Sequence, residues 1–223
     1  MTTEGETMYK ACIFDLDGTL TDTLDSLTYS VNETMKEMNL ESITREQCCN
    51  FVGNGSRVLL EKTLEVSGDA DKSRIKEAME VYDRIFKVNC TYKVNPYDGI
   101  VDLLYELKKR NIKLAVLSNK PDREVKSVVS KIFGSDLFEI ARGQMDGIPR
   151  KPDPYAVFEI AKELGAEKEE IMYIGDSEVD ICTGNNAKVK TIGVSWGFRG
   201  RKVLLESGAE SVIDKPEELL DLL

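Results

Sequence analysis

Short apolar segments that alternate with helical patterns are the feature that most restricts the fold of this sequence. From residue 96 onward, each predicted helix is followed by an apolar run short enough to be a strand buried on both faces. Alternation of this kind favours a parallel sheet with helices on both faces. The sequence therefore predicts an α/β, Rossmann-like core with strands at Ala11–Phe14, 112–117, 137–141, 171–174, 189–194 and Ser211–Ile213.

Two aspartates follow the first predicted strand in the segment Phe-Asp-Leu-Asp-Gly-Thr. Residues i and i+2 of a strand point to the same face, so Asp15 and Asp17 can converge on one ligand. One carboxylate can attack that ligand while the other protonates a leaving oxygen. Gly18 allows the backbone to turn and to approach an anion closely. Taken alone, the pair is also compatible with an acidic loop that caps a helix.

Three further polar clusters occupy comparable positions. Ser118 and Asn119 suit a phosphate oxygen, although they would also suit a helix N-cap. Lys151 is flanked by prolines that fix the chain direction, which suits a cation that points into a binding site. A solvated basic loop would have the same sequence pattern. Asp176 and Asp180 lie four residues apart, a spacing typical of one helix face and of oxygen ligands for a hard cation.

The carboxyl ends of parallel strands meet at one edge of a sheet, where ligands bind in open α/β folds. The four clusters therefore predict a single site that contains a nucleophile, an acid/base, an oxyanion-binding hydroxyl, a fixed cation and oxygen ligands for magnesium. That set of groups is typical of phosphoryl transfer, in which positioning and charge neutralisation provide most of the catalysis.

In their order and spacing, these clusters resemble the four motifs of the haloacid dehalogenase superfamily of aspartyl-phosphate phosphatases. The resemblance spans nearly the whole chain and implies that Asp15 is the nucleophile and Asp17 the general acid/base. It implies that Ser118 and Lys151 hold the phosphoryl group. Dehalogenase members lack the second aspartate of the first motif, so Asp17 indicates phosphate chemistry.

The same resemblance implies a Mg²⁺ site. The metal would be bound by the Asp15 carboxylate, the Asp17 main-chain carbonyl and Asp176. Asp180 would support either Lys151 or the water shell of the metal.

A helical insertion separates the first strand from the rest of its sheet. Helical stripes run through residues 24–38 and 75–86, and Thr44-x-x-Gln47 is typical of a capping box. We expect a catalytic core formed by 1–21 and 95–223 and an all-α cap domain at 22–94. An insertion beside Asp15 and Asp17 can act as a lid that excludes water.

Within the insertion, the segment Val-Gly-Asn-Gly-Ser-Arg is similar to that of the phosphoglycolate phosphatase branch. Its glycines permit close backbone approach, and Arg57 could pair with a carboxylate, although a tight turn is an equal alternative. The resemblance favours 2-phosphoglycolate as substrate. The residues expected to bind it are Gly18, Thr19, Asn119, Gly53, Asn54, Gly55 and Arg57.

Composition excludes several classes of partner. The net charge of −10 and the lack of a basic stripe argue against nucleic acid and anionic membrane surfaces. The five cysteines contain no Cys-x-x-Cys pair, so we expect reduced thiols and a cytoplasmic protein. We expect the protein to be a monomer or a homodimer. The sequence has no histidine, which excludes histidine-dependent triads and histidine-rich zinc sites.

Three alternative functions remain open at this stage. A nucleotidase or pyrophosphatase would use the same core. Sugar phosphomutases are similar but typically carry a histidine in the first cap helix. A receiver-type phospho-accepting domain shares the acidic residues, the hydroxyl and the lysine, but it explains neither the insertion nor Asp17. The expected partner is a small phosphorylated metabolite.

Overall fold

A six-stranded parallel sheet forms the centre of the computed structural model, which describes residues 8–223. Two short strands lie outside it and pair with each other. The strands are β1 (Ala11–Phe14), β2 (Thr21–Asp22), β3 (Asn95–Pro96), β4 (Lys113–Pro121), β5 (Ile140–Gln144), β6 (Ile171–Gly175), β7 (Lys190–Val194) and β8 (Ser211–Ile213). The spatial order in the main sheet is β5-β4-β1-β6-β7-β8.

The helices that cover this sheet and form the insertion are α1 (Leu24–Glu37), α2 (Arg45–Phe51), α3 (Ser56–Ser67), α4 (Ile75–Asn89), α5 (Ile100–Lys109), α6 (Asp122–Phe133), α7 (Tyr155–Leu164), α8 (Glu178–Ala187) and α9 (Gly200–Glu206). Short 3₁₀ helices occur at Lys168–Glu170 and Pro216–Leu222. Across residues 8–223, every helix is too short or too polar to cross a membrane.

Strand β1 lies between β4 and β6 and pairs with both in parallel. All four of its residues are buried, because helices cover both faces of the sheet and alternate side chains enter two separate apolar clusters. Cys12 and Phe14 face one cluster, and Ala11 and Ile13 face the other. The predicted α/β class is confirmed.

Two predicted strands differ from the observed ones at their ends. Strand β4 continues through Ser118, Asn119 and Lys120, so the second polar cluster lies on the strand and not beyond it. The register with β5 shifts between Leu117 and Pro121, and an irregularity of this kind re-aims the side chains beside it. Strand β5 begins at Ile140 because pairing with β4 sets its limits, whereas the preceding apolar residues pack as loop.

The predicted helical insertion is present between β2 and β3, which pair antiparallel as a two-stranded ribbon. Helices α1 to α4 bury their own apolar cluster, and the Thr44–Gln47 capping box is formed by both of its hydrogen bonds. The chain therefore leaves and re-enters the core through adjacent strands. The division into domains at 22 and 94 stays a prediction, and its first segment begins with residues outside the described ones.

Candidate active site

A small cavity of about 50 Å³ lies between the carboxyl ends of the central strands and the helical insertion. One buried water needs roughly 10–15 Å³ measured in this way, so the cavity has room for about four waters. The lining residues include Asp15, Asp17, Leu27, Val52, Gly53, Gly55, Leu59, Tyr82, Phe86, Ser118, Asn119, Lys120, Lys151, Asp176, Phe198 and Arg199.

Lys151 is held by a complete set of hydrogen bonds. Its ammonium donates to Asp15 Oδ1 at 2.8 Å, to the Leu117 carbonyl at 3.1 Å and to Asp180 Oδ1 at 2.7 Å. Burial alone would lower the pKa of Lys151, but Asp15 and Asp180 outweigh it and hold the pKa well above the usual range. The lysine is therefore a fixed positive charge beside Asp15.

Both oxygens of Asp180 are engaged. Oδ1 accepts from Lys151 and from the Tyr173 hydroxyl at 3.2 Å, and Oδ2 accepts from the backbone and hydroxyl of Ser177 at 3.1 and 2.5 Å. The Ser177 contacts form a capping box at the start of α8. Asp180 is fully buried and does not line the cavity. This geometry favours the supporting role toward Lys151 over direct contact with a metal.

Asp15, Asp176 and Asp180 bring carboxylate oxygens within 4.8 Å of one another. Burial is the main reason that the pKa of Asp15 is raised to about 7. The positive charge of Lys151 lowers this pKa, and the negative charge of Asp180 raises it further. Burial also raises the pKa of Asp176 well above its usual range, and the charges of Asp180 and Asp15 add to that effect. Buried carboxylates this close repel one another unless a cation joins them. The carboxylate oxygens of Asp15 and Asp176 suit a hard divalent cation, while Asp180 supports Lys151 beside them.

Gly18 packs against Asp176, Thr19 donates a hydrogen bond to it, and neither residue lines the cavity. A β-carbon added to Gly18 would lie 2.4 Å from Asp176 Oδ2 and would clash with it. The backbone N–H of Gly18 donates to the Thr21 carbonyl. The Thr19 hydroxyl donates to Asp176 Oδ1 at 3.2 Å. Both residues were predicted to bind substrate; in the structure they lie behind Asp176, because the turn after β1 packs on the loop after β6.

Asp17 pairs with a lysine that the sequence analysis did not single out. Lys120 Nζ donates to Asp17 Oδ1 at 2.8 Å and lies 4.9 Å from the centre of the Phe86 ring, on α4 of the insertion. The sequence did contain an indication that Lys120 belongs to the site, because Lys120 directly follows Ser118 and Asn119 in the second polar cluster.

Ser118 and Asn119, predicted to bind the phosphoryl group and the substrate, both line the cavity. The Asn119 amide donates to the carbonyls of Gly53 and Lys151, each at 3.1 Å, and its oxygen accepts from the Lys151 backbone at 3.0 Å. Asn119 therefore joins the loop that carries Lys151 to the insertion.

The predicted insertion segment is only partly in the site. Gly53 and Gly55 line the cavity with positive φ angles of 112° and 84°. Asn54 lies outside the cavity, and its carbonyl accepts from Arg150 at 3.0 Å. Arg57 is also outside: its guanidinium pairs with Glu61 at 2.8 Å one helical turn away, because position 57 lies on the solvent-facing side of α3.

Arg199 joins the core to the insertion and was not foreseen. It donates to the carbonyls of Cys49 and Val52 at 2.7 and 2.6 Å and to Glu178 at 3.2 Å. The preceding Phe198 donates its backbone N–H to Asp176 Oδ2 at 2.7 Å. No local pattern indicates such contacts, since the partners on the insertion lie about 150 residues away in sequence.

Known proteins resemble this chain over nearly its whole length. A sequence model of haloacid dehalogenase-like hydrolases matches residues 12–194. A phosphoglycolate phosphatase of Aquifex aeolicus is 32% identical, over 96% of this chain and 96% of its own, and one of Haemophilus influenzae is 30% identical, over 97% and 99%. The crystal structure of a protein from Lactobacillus delbrueckii subsp. bulgaricus is 33% identical with a TM-score of 0.87, over 96% of this chain and 98% of its own.

Proposed function

The chain belongs to the haloacid dehalogenase-like hydrolases and is a phosphatase, and from this premise we propose that it hydrolyses 2-phosphoglycolate with Mg²⁺ through a phosphorylated Asp15. The observation that carries the proposal is the arrangement of Asp15 beside Lys151 and of Asp17 on the same cavity wall. A nucleophile, a fixed cation and a second carboxylate lie within reach of one small ester.

Asp15 acts as the nucleophile in this proposal. Its carboxylate attacks phosphorus, the bond from phosphorus to the ester oxygen breaks, and Asp17 gives its proton to the departing alkoxide. A water then attacks the phosphorylated aspartate, Asp17 takes the proton of that water, and phosphate leaves. Asp17 therefore enters the cycle protonated and ends it protonated, and Asp15 ends as the carboxylate it was at the start, so one ester and one water become one alcohol and one phosphate.

Lys151 and Ser118 hold the phosphoryl group during transfer. The ammonium of Lys151 is already fixed by Asp15 and Asp180, so it stabilises the transferring charge without reorganisation. Asp180 and Tyr173 keep it there through their own hydrogen bonds.

Mg²⁺ would be held by the Asp15 carboxylate, the Asp17 main-chain carbonyl and Asp176. When bound, it would neutralise charge on the phosphoryl oxygens. Thr19 and the backbone of Phe198 orient Asp176 for this task.

The choice of 2-phosphoglycolate has two supports. Relatives about 30% identical over nearly the whole chain carry the name phosphoglycolate phosphatase. The cavity of about 50 Å³ has room for a small ester.

A phosphate-release assay over a panel of small esters tests the proposal. We expect 2-phosphoglycolate to give the highest kcat/KM among glycolate, glycerol, sugar and nucleotide phosphates. Activity should disappear with chelator and return with Mg²⁺, whereas Ca²⁺ should inhibit because it prefers a larger and looser ligand shell. A clear preference for a nucleotide or a sugar phosphate would overturn the substrate, and full activity after exhaustive metal removal would overturn the metal.

A further inference from the structure

The cavity is lined by three cations, and they differ in how many of their donors are engaged. All three donors of Lys151 have protein partners, and Arg199 is bound to two carbonyls and a carboxylate. Lys120 is as buried as Lys151, with 2% of its side chain exposed. Among residues 8–223, however, its ammonium has a single hydrogen-bond partner, Asp17.

A buried ammonium with two unpaired donors is costly unless a ligand completes it. The ring of Phe86, 4.9 Å away, stabilises the charge but accepts no directed hydrogen bond of ordinary strength. Tyr82 also lines the cavity, and its hydroxyl is buried and has no partner within the described chain. The side of the cavity that faces α4 therefore offers polar donors and a positive charge to whatever enters.

The position of Lys120 fixes which part of a ligand it meets. Asp17, the residue proposed to protonate the leaving oxygen, lies 2.8 Å from the Lys120 ammonium. Lys120 would bind one ligand oxygen, and Asp17 would bind the leaving oxygen, each through a hydrogen bond of about 2.8 Å. Those two oxygens can then lie about 3 to 8 Å from each other. A carboxylate separated from the ester oxygen by one carbon falls within that range.

We propose that Lys120 binds the second anionic group of the substrate and thereby makes the enzyme selective for phosphate esters that carry a carboxylate next to the ester carbon. This rests on the proposed function. It assigns the selectivity to a core residue on β4, where the sequence pointed to Arg57 on the insertion. Because Lys120 also contacts Phe86, the bound carboxylate would lie at the junction of the core and the insertion.

The test compares two substrates of matched size, 2-phosphoglycolate and the phosphate ester of glycolamide, whose amide is neutral. Wild-type enzyme should prefer the carboxylate in kcat/KM by about 10- to 100-fold, the range for one hydrogen bond between charged groups. In Lys120→Gln this ratio should fall to near one, mainly through KM, whereas Lys120→Arg should retain most of it. Any effect of the substitutions through Asp17 acts on both substrates and leaves the ratio unchanged.

Lys87→Gln is the matched control, because Lys87 is an exposed lysine next to Phe86 and does not line this cavity. It should keep the wild-type ratio. If Lys120→Gln does not fold by circular dichroism, Lys120→Met takes its place, since an unbranched apolar chain keeps the packing on Phe86.

An unchanged ratio in the Lys120 variants, or equal rates of the wild type on both esters, would overturn the assignment of Lys120. Failure of the wild type to release phosphate from either ester would instead overturn the proposed function. The two failures are therefore distinguishable in one experiment.

Discussion

The two walls of the cavity differ in how completely their polar groups are engaged. On the core side, Lys151 lines the cavity and Asp180 lies behind it, in a closed network whose hydrogen bonds are all made before any ligand binds. The insertion wall is largely apolar, with Leu27, Leu59 and Phe86 among its residues. Its polar groups are the backbone around two glycines, the Ser56 side chain and Tyr82, whose hydroxyl has no partner in the described part of the chain.

This difference separates two tasks. A saturated network cannot adapt, and it holds charges where the transferring phosphoryl group needs them. An apolar wall excludes water and limits ligand size but gives little orientation. We infer that the chemistry depends on the core wall and that the insertion wall sets access and size, with Lys120 between them. The four substitutions below test this division, from the largest expected effect to the smallest.

Replacing Asp15 with Asn should abolish turnover, with a loss of about 10⁴-fold or more. An amide cannot form the acyl phosphate, and the substitution also removes the charged partner of Lys151. Mass spectrometry must confirm that the amide has not hydrolysed back to aspartate. Near-wild-type phosphate release by a verified Asp15→Asn protein would contradict the role of Asp15.

Asp17→Asn should lower kcat by about 10²–10⁴-fold, the contribution usual for general acid–base catalysis. The backbone carbonyl proposed as a metal ligand is retained in this variant. The loss should be smallest for p-nitrophenyl phosphate, whose leaving group needs little protonation. Equal losses for all leaving groups would argue against proton transfer by Asp17.

Arg199→Met should reduce kcat/KM by about tenfold, because hydrogen bonds from a charged group to the carbonyls of Cys49 and Val52 join the core to the insertion. Steady-state kinetics should show a raised KM with a smaller change in kcat. Arg201→Met is the control, since Arg201 pairs with Asp214 at the surface. If both substitutions have the same effect, the contact between Arg199 and the insertion does not contribute.

Arg57→Ala should leave kcat/KM for 2-phosphoglycolate within about twofold of wild type, because exposed i,i+4 ion pairs contribute little. The measurement is the same substrate panel used for Lys120. A selective rise in KM for carboxylate-bearing esters would return Arg57 to the substrate site and would weaken the assignment to Lys120.

Local sequence determined the acidic and cationic groups of the core wall. Asp15 and Asp17 follow a strand whose alternation fixes their common face, and parallel pairing brings Lys151 and Asp176 to the same edge. The helical stripe at 75–86, which lies in α4, and the Thr44–Gln47 capping box were equally predictable, because periodicity and capping depend on neighbours in the chain.

Tertiary structure alone decided how those groups are used. Gly18 and Thr19 support Asp176 instead of lining the cavity, and Arg199 reaches the insertion across about 150 residues of sequence. In the sequence, Lys120 lies two residues after a serine and Arg57 directly after one, so the local pattern does not distinguish the two cations. In the structure, Lys120 is buried against Asp17, whereas Arg57 is paired with Glu61 at the surface. Burial and partner choice depend on how the insertion packs on the sheet, and no spacing within the chain encodes that contact.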